Sequence, residues 1–183
     1  MTFPVHTIST AAPAAQETLT GAEKAFGFVP NLLGTMAEAP ALLKGYLALS
    51  RLFDESSLTP TERQLVLLTV SYENGCAYCM AAHTVIAGMQ KVPATVLEAL
   101  RAGQPLTDAR LEALRQFTTA VVASRGWPGE GALATFTAAG YGAQQVLEVV
   151  LGVGIKTMSN YTNHLAGTPL DTAFGGAAWE RVA

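Results

Sequence analysis

Apolar residues along this chain return every third or fourth position, and nowhere do they alternate convincingly in the manner of a strand. That periodicity leaves one class of fold, an all-α one. In "PALLKGYLALSRLF" the residues Leu42, Leu43, Tyr46, Leu47, Leu49, Leu52 and Phe53 fall on one side of a helix. The next segment, "LTPTERQLVLLTVSYENG", carries its own punctuation. Thr59 is placed as N-cap, Pro60 as the first helical residue, Glu62 as the third residue of a capping box, and Gly75 as the stop. A new helix then opens at Cys76 and runs to about Gln90. Further helices are expected from Pro93 to Gly103, from a cap at Thr107 to Gly126, after Pro128, and through "AQQVLEVVLGVGIKTMSNYTNHLAG". Gly152 and Gly154 inside that last helix imply close approach of another helix, within the domain or from another subunit, since each costs about 1 kcal/mol relative to Ala.

With 183 residues the chain suits one domain of about eight helices. Residues 1–15, rich in Ala, Thr and Pro, are expected to be an extended arm, and 16–183 to be the helical domain. No fixed-period repeat is present. Half the residues are apolar and 14% are charged, so part of the surface is expected to be covered by other subunits. A net charge of −3 and no Lys/Arg cluster argue against nucleic acid. No window reaches the length of a membrane span and the N-terminus lacks the regions of a secretory signal, which together suggest a cytoplasmic protein. No nucleotide-binding glycine motif is present, and no bound cofactor is called for.

The chemistry concentrates in "ENGCAYCMAAH". If Cys76 begins a helix, Cys76, Cys79 and His83 stand at i, i+3 and i+7 on one face. Free amides at the helix start would favour a thiolate there, and His83 lies one turn beyond Cys79. In a reducing compartment such a thiol pair points to redox chemistry or to metal. Haem attachment is excluded because Met80, not histidine, follows the second cysteine. Zinc would need a fourth ligand from distant His164 or a carboxylate. Two buried cysteines acting as small hydrophobes remain the bland alternative.

The run "LTPTERQLVLLTVSYENGCAYCMAAHTVIAG", with "GFVPNLLGTMAEAPALLKGYLAL" before it and "KTMSNYTNHLAGTPLD" after it, resembles the alkylhydroperoxidase D-like branch of the carboxymuconolactone decarboxylase superfamily. The resemblance implies an all-helical fold assembled as a homo-oligomer, trimer or hexamer, and reduction of hydroperoxides by a redox-active Cys76–Cys79 disulfide. It implies that Cys79 meets the peroxide and becomes sulfenic acid, that Cys76 supplies a proton and closes the disulfide, and that His83 belongs to a proton relay. An external dithiol, lipoyl or thioredoxin-like, would reset the pair. One departure stands out: where the relay has a glutamate, twelve residues before the first cysteine, this chain has Gln64, which carries no proton at ordinary pH. Glu73 is the preferred substitute, Glu62 being accounted for as a cap and Glu148 being unplaced.

At second rank stand Tyr78, as a packed aromatic or a donor to peroxide oxygen, and His164, which with Asn160, Tyr161 and Asn163 borders the site or binds helix-end carbonyls. His6 is expected in water. Met36, Met80, Met89 and Met158 are expected to fill core gaps. Two rival functions stand beside this one, the first implied by the same resemblance. One is a carboxymuconolactone decarboxylase-like lyase that needs no thiol pair; the other is a non-enzymatic oligomeric redox sensor.

Overall fold

Helix α4, Pro60–Glu73, is the axis on which the domain is built. Its start follows from local chemistry: Thr59 Oγ1 accepts from the Glu62 amide, and Glu62 Oε2 accepts from the Thr59 amide at 2.8 Å. Glu62 itself is buried and also accepts from the Tyr141 hydroxyl at 2.8 Å, with Arg110 3.1 Å away. Burial alone would raise its pKa, but the Thr59 amide, the Tyr141 hydroxyl and the Arg110 charge bring it below the usual value. The capping role expected of Glu62 is thus what the structure shows, and it is a structural one. From Gln64 to Ser71 every side chain of α4 is buried, Gln64, Thr69 and Ser71 among mostly apolar ones, so this helix needs neighbours on every side.

The computed structural model describes residues 1–181; the last two residues of the expected domain lie outside it. The described residues form nine α-helices and a short 3₁₀ helix, with no strand. Around α4 are α1 (Pro13–Phe26), α2 (Asn31–Met36), α3 (Pro40–Asp54), α5 (Ala77–Met89), α6 (Ala94–Ala102), α7 (Ala109–Ala123), α8 (Gly129–Ala138) and α9 (Ala143–Ala166), followed by the 3₁₀ turn Thr172–Ala177. α4 packs on α5, α6, α7 and α9 and touches α3. Two apolar clusters result. One joins α4, α6, α7, α8 and α9 around Leu65, Leu68, Leu114, Phe136 and Tyr141. The other joins α1, α2, α3 and α5, and both cysteines belong to it.

Several expectations are corrected. The N-cap of α7 is Asp108 rather than Thr107, because the Asp108 carboxylate accepts from the Arg110 and Leu111 amides, both at 2.9 Å. α1 begins at Pro13, and Ala11 and Ala15 are already buried. His6 is not free in water: its Nε2 is 2.6 Å from Glu38 Oε2. Met36 and Met80 do fill the core, but Met89 is exposed at the end of α5. The two glycines of α9 part company. A Cβ on Gly152 would lie 2.7 Å from Val66 Cγ1 and 3.1 Å from Phe53 Cζ, so this glycine lets α9 seat against α4 and α3. Gly154 has open space where a Cβ would be. Among the described residues no helix is long and apolar enough to cross a membrane.

Candidate active site

The cysteine helix gets its position from the way α4 ends. Gly75, at φ 66°, takes the left-handed conformation that closes the helix, and two bonds complete a Schellman turn: the Gly75 amide to Tyr72 O at 3.0 Å and the Cys76 amide to Ser71 O at 2.9 Å. Cys76 is therefore the N-cap of α5, with only Asn74 and Gly75 between it and the end of the preceding helix. The sulfur of Cys76 is no N-terminal thiolate. Its hydrogen bond with Cys79, then its burial, then the charge of Cys79 push the Cys76 thiol well above its ordinary range. The helix-start effect expected for Cys76 is overridden by its neighbour.

Cys79 is the depressed thiol. Burial opposes its ionisation, but the bond from Cys76, the charge of Lys156 and the hydroxyl of Ser159 outweigh burial and carry its pKa well below the ordinary value. Both groups opposite come from α9. Cys79 Sγ is 3.8 Å from Ser159 Oγ, and Asn163 Nδ2 lies 3.3 Å from Cys79 Sγ and 3.8 Å from Cys76 Sγ. One amide thus holds both sulfurs. Lys156 is completely buried and its Nζ has no hydrogen-bond partner meeting ordinary geometry; the thiolate charge raises its pKa although burial alone would lower it.

His83 faces the same space in a different state. Its Nδ1 is 3.0 Å from Gln64 Oε1, and Gln64 Nε2 donates to Gln90 Oε1 at 3.2 Å. With Gln64 so oriented, its oxygen accepts, so Nδ1 carries the imidazole proton and Nε2 is left as an acceptor. Burial, and then the Lys156 charge, hold its pKa well below the usual value, so the ring is neutral. The relay position Gln64 is therefore in contact with His83, as a tautomer lock and not as an acid.

A cavity of about 250 Å³ joins these groups. Cys79, His83, Gln64, Lys156 and Tyr46 contribute to its wall, which is otherwise mostly apolar; Cys76 does not reach it. Both cysteines are free thiols and only 1% exposed, so access to Cys79 runs through this cavity. The far wall is supplied by the C-terminal segment. Tyr78 donates to Asp171 and accepts from the Leu32 amide at 3.2 Å, Asp171 accepts from the Asn31 amide at 3.0 Å, and Phe174 packs edge-on against Tyr78 and lines the cavity. Tyr78 is thus a packed aromatic whose hydroxyl is spoken for.

Two candidates fall away from the thiols. Glu73 Oε1 accepts from Thr119 Oγ1 on α7 at 2.9 Å, on the side of α4 opposite to Gln64, and does not line the cavity. The half-turn between positions 64 and 73 on a continuous helix is the reason. His164 is exposed beside Tyr161 in the last turn of α9, because the residue before it, Asn163, is the one that points inward. Glu148 binds the Ser57 amide at 2.8 Å and serves the loop before α4. No group of three or more His, Cys, Asp or Glu with metal-site geometry occurs among the described residues.

Lys156 and Ser159 were missed in the sequence, and of the two roles open to the cluster around His164, Asn163 takes the one that borders the site. A signal was available. Lys156, Ser159 and Asn163 repeat at i, i+3 and i+7, the spacing of Cys76, Cys79 and His83, and Lys156 is the only charged residue between Glu148 and the end of α9 apart from the titratable His164.

Comparison with known proteins agrees with this architecture. Residues 37–120 match the carboxymuconolactone decarboxylase family. The fold is similar to a crystal structure from Ralstonia eutropha JMP134 described as an alkylhydroperoxidase AhpD core, an uncharacterized peroxidase-related protein (20% identity, TM-score 0.79, 94% of this chain and 93% of that one). It is also similar to a peroxidase-related protein from Silicibacter sp. TM1040 (21%, 0.80, 96% and 94%) and to the debrominase Bmp8 (22%, 0.68, 91% and 90%). No curated protein sequence matches the chain.

Proposed function

We propose, starting from the carboxymuconolactone decarboxylase family domain that residues 37–120 form, that this chain is a thiol-dependent hydroperoxide reductase. The observation that carries the reading is an asymmetry: of two buried thiols, Cys79 alone borders the cavity, and Cys79 is the one whose surroundings favour the thiolate. A nucleophile must be ionised and reachable; a resolving thiol must be close, and its proton keeps it from competing for the peroxide until it passes to the departing hydroxyl as the S–S bond forms. Cys79 and Cys76 meet these demands respectively.

In the proposed cycle Cys79 thiolate attacks the outer peroxide oxygen, forming the sulfenic acid and releasing an alkoxide. His83 Nε2 accepts from the O–H of the hydroperoxide and so aims that oxygen at sulfur. Cys76 then attacks the Cys79 sulfur, water leaves, and the Cys76–Cys79 disulfide closes while Asn163 keeps both sulfurs in register. An external dithiol, lipoyl or thioredoxin-like, resets the pair by exchange. The apolar wall suits organic hydroperoxides. Apolar residues left exposed along α9, Leu147, Val150, Tyr161 and Leu165, support a homo-oligomer.

The test is stopped-flow oxidation of the reduced protein by hydrogen peroxide and by an organic hydroperoxide, with the disulfide located by mass spectrometry. Rapid oxidation, one Cys76–Cys79 bridge per chain, and loss of turnover in Cys79→Ser are expected. A Cys79→Ser protein acting on a muconolactone-type acid as fast as the parent would favour the lyase. Oxidation that never turns over with a dithiol would favour the sensor.

A further inference from the structure

Reduction of ROOH to ROH and water takes two electrons and two protons. The thiols supply both electrons, but Cys76 brings one proton as S–H and the Cys79 thiolate brings none. The missing acid must face the cavity. Neutral His83 has its single N–H committed to Gln64. Asp54, at the end of α3, is largely exposed and paired with Arg63. Tyr46 lines the cavity, but burial makes its phenol a weaker acid than usual. Lys156 is left. It is fully buried, lines the cavity beside Cys79, and its Nζ has no hydrogen-bond partner.

We propose that Lys156 is the general acid of O–O cleavage, passing one ammonium proton to the alkoxide leaving group and remaining as a neutral amine while the disulfide stands. The assignment rests on the hydroperoxide reading above. The balance is complete: thiolate, thiol and ammonium plus ROOH give disulfide, amine, ROH and water. The O–O bond breaks, an S–O bond forms and is replaced by the S–S bond, and both electrons come from sulfur. The site is electrically neutral before and after.

That neutrality is the physical argument. The titratable groups around Lys156 are Cys79, Cys76 and Tyr46, with His83 close by, and of these Cys79 alone is ionised, since the Cys76 thiol and the Tyr46 phenol are both pushed up. No carboxylate is among them. From α4, Glu62 is engaged with Tyr141 and Arg110, and Glu73 with Thr119; from α7, Glu112 pairs with Arg115; α2 carries no titratable residue. Closing the disulfide removes the one anion that balances the ammonium, and an unpaired buried charge is costly. Releasing the proton to the product removes that cost at the step where the proton is needed.

The experiment is the equilibrium of the protein disulfide with dithiothreitol between about pH 6 and 7.5, where the reference dithiol gives up two protons. Ultraviolet thiolate absorbance of the reduced protein is read in the same samples. If Lys156 regains its proton on reduction, the thiolate is present and the equilibrium constant is flat with pH. If Lys156 stays charged throughout, the constant moves tenfold per pH unit, and the proposal is overturned. Absence of a thiolate near neutrality also overturns it. Lys156→Arg keeps the charge but releases no proton; it should retain the thiolate and lose at least about a hundredfold in peroxide oxidation rate. An Arg variant as fast as the parent refutes the acid role. A parent protein that no peroxide oxidises sinks the hydroperoxide reading as well, whereas a tenfold pH slope with normal oxidation sinks Lys156 alone.

Discussion

Replacing Asn163 by leucine, a near isostere, tests whether one amide poises the reactive sulfur. Asn163 Nδ2 lies 3.3 Å from Cys79 Sγ and 3.8 Å from Cys76 Sγ, so the variant removes one short and one long N–H···S contact. A hydrogen bond to a charged group contributes about 1.5–3 kcal/mol, and the length of these contacts puts them at the low end. At about 1.4 kcal/mol per unit, the Cys79 midpoint should rise by about one pH unit, because the lost donor serves only the ionised form. The fold should suffer little. Asn163 Oδ1 is already buried without a partner, so the leucine also removes an unsatisfied acceptor. Titration of thiolate absorbance gives the midpoint, and urea unfolding gives the stability. A midpoint within about 0.3 units of the parent, in a protein that unfolds at the same urea concentration, would mean that the amide merely fills space and that Lys156 and Cys76 poise Cys79 unaided.

Two further outcomes follow from packing and charge. Gly152→Ala should destabilise by about 1–3 kcal/mol, since its Cβ would press Val66 and Phe53, whereas Gly154→Ala should stabilise by up to about 1 kcal/mol; thermal or urea melts of the pair read the difference. His83 is held neutral by burial, so below about pH 6.5 the unfolded chain binds a proton that the folded one refuses. Stability should accordingly fall as pH drops beneath that value, by up to about 1.4 kcal/mol per unit from this group, and His83→Gln should flatten that part of the curve; an identical slope in both proteins would show that the ring protonates in place.

Much of the fold was legible because it is encoded locally. The capping box at Thr59 and Glu62, the stop at Gly75 and the apolar period of α3 each act within a few residues, and each stands where the sequence puts it, save that Leu52 of α3 is exposed. Asp108 displaced Thr107 for an equally local reason: a carboxylate accepting two amides is the stronger cap. The six-residue α2 and the 3₁₀ turn at Thr172–Ala177 were not legible, since one turn or two carry no period and are held by distant partners such as Asp171 to Asn31. The site divided the same way. Cys76, Cys79 and His83 declare themselves by spacing on one helix. The destination of Glu73 could not be read, because the direction a residue faces across a bundle depends on which neighbour packs there, here Thr119 of α7.

The two halves of the site also bear on the glutamine that α4 carries at position 64. Glutamine at position 64 would be a defect if the relay on α4 and α5 had to supply every proton. In this chain α9 presents Lys156, Ser159 and Asn163 at the same three- and four-residue spacing as the α5 set, so each thiol-bearing turn of one helix meets a polar turn of the other. That register depends on α9 lying close to α4, which Gly152 permits by leaving room for Val66 and Phe53. A carboxylate at position 64 would place a second anion within reach of His83 and the Lys156–Cys79 pair, drawing the imidazole toward its charged form. Glutamine instead accepts from Nδ1 and keeps the ring neutral. Gln64 on α4 and the buried lysine on α9 are thus two sides of one electrostatic arrangement: a neutral acceptor on one wall, and on the other a lysine whose charge draws the Cys79 thiol down.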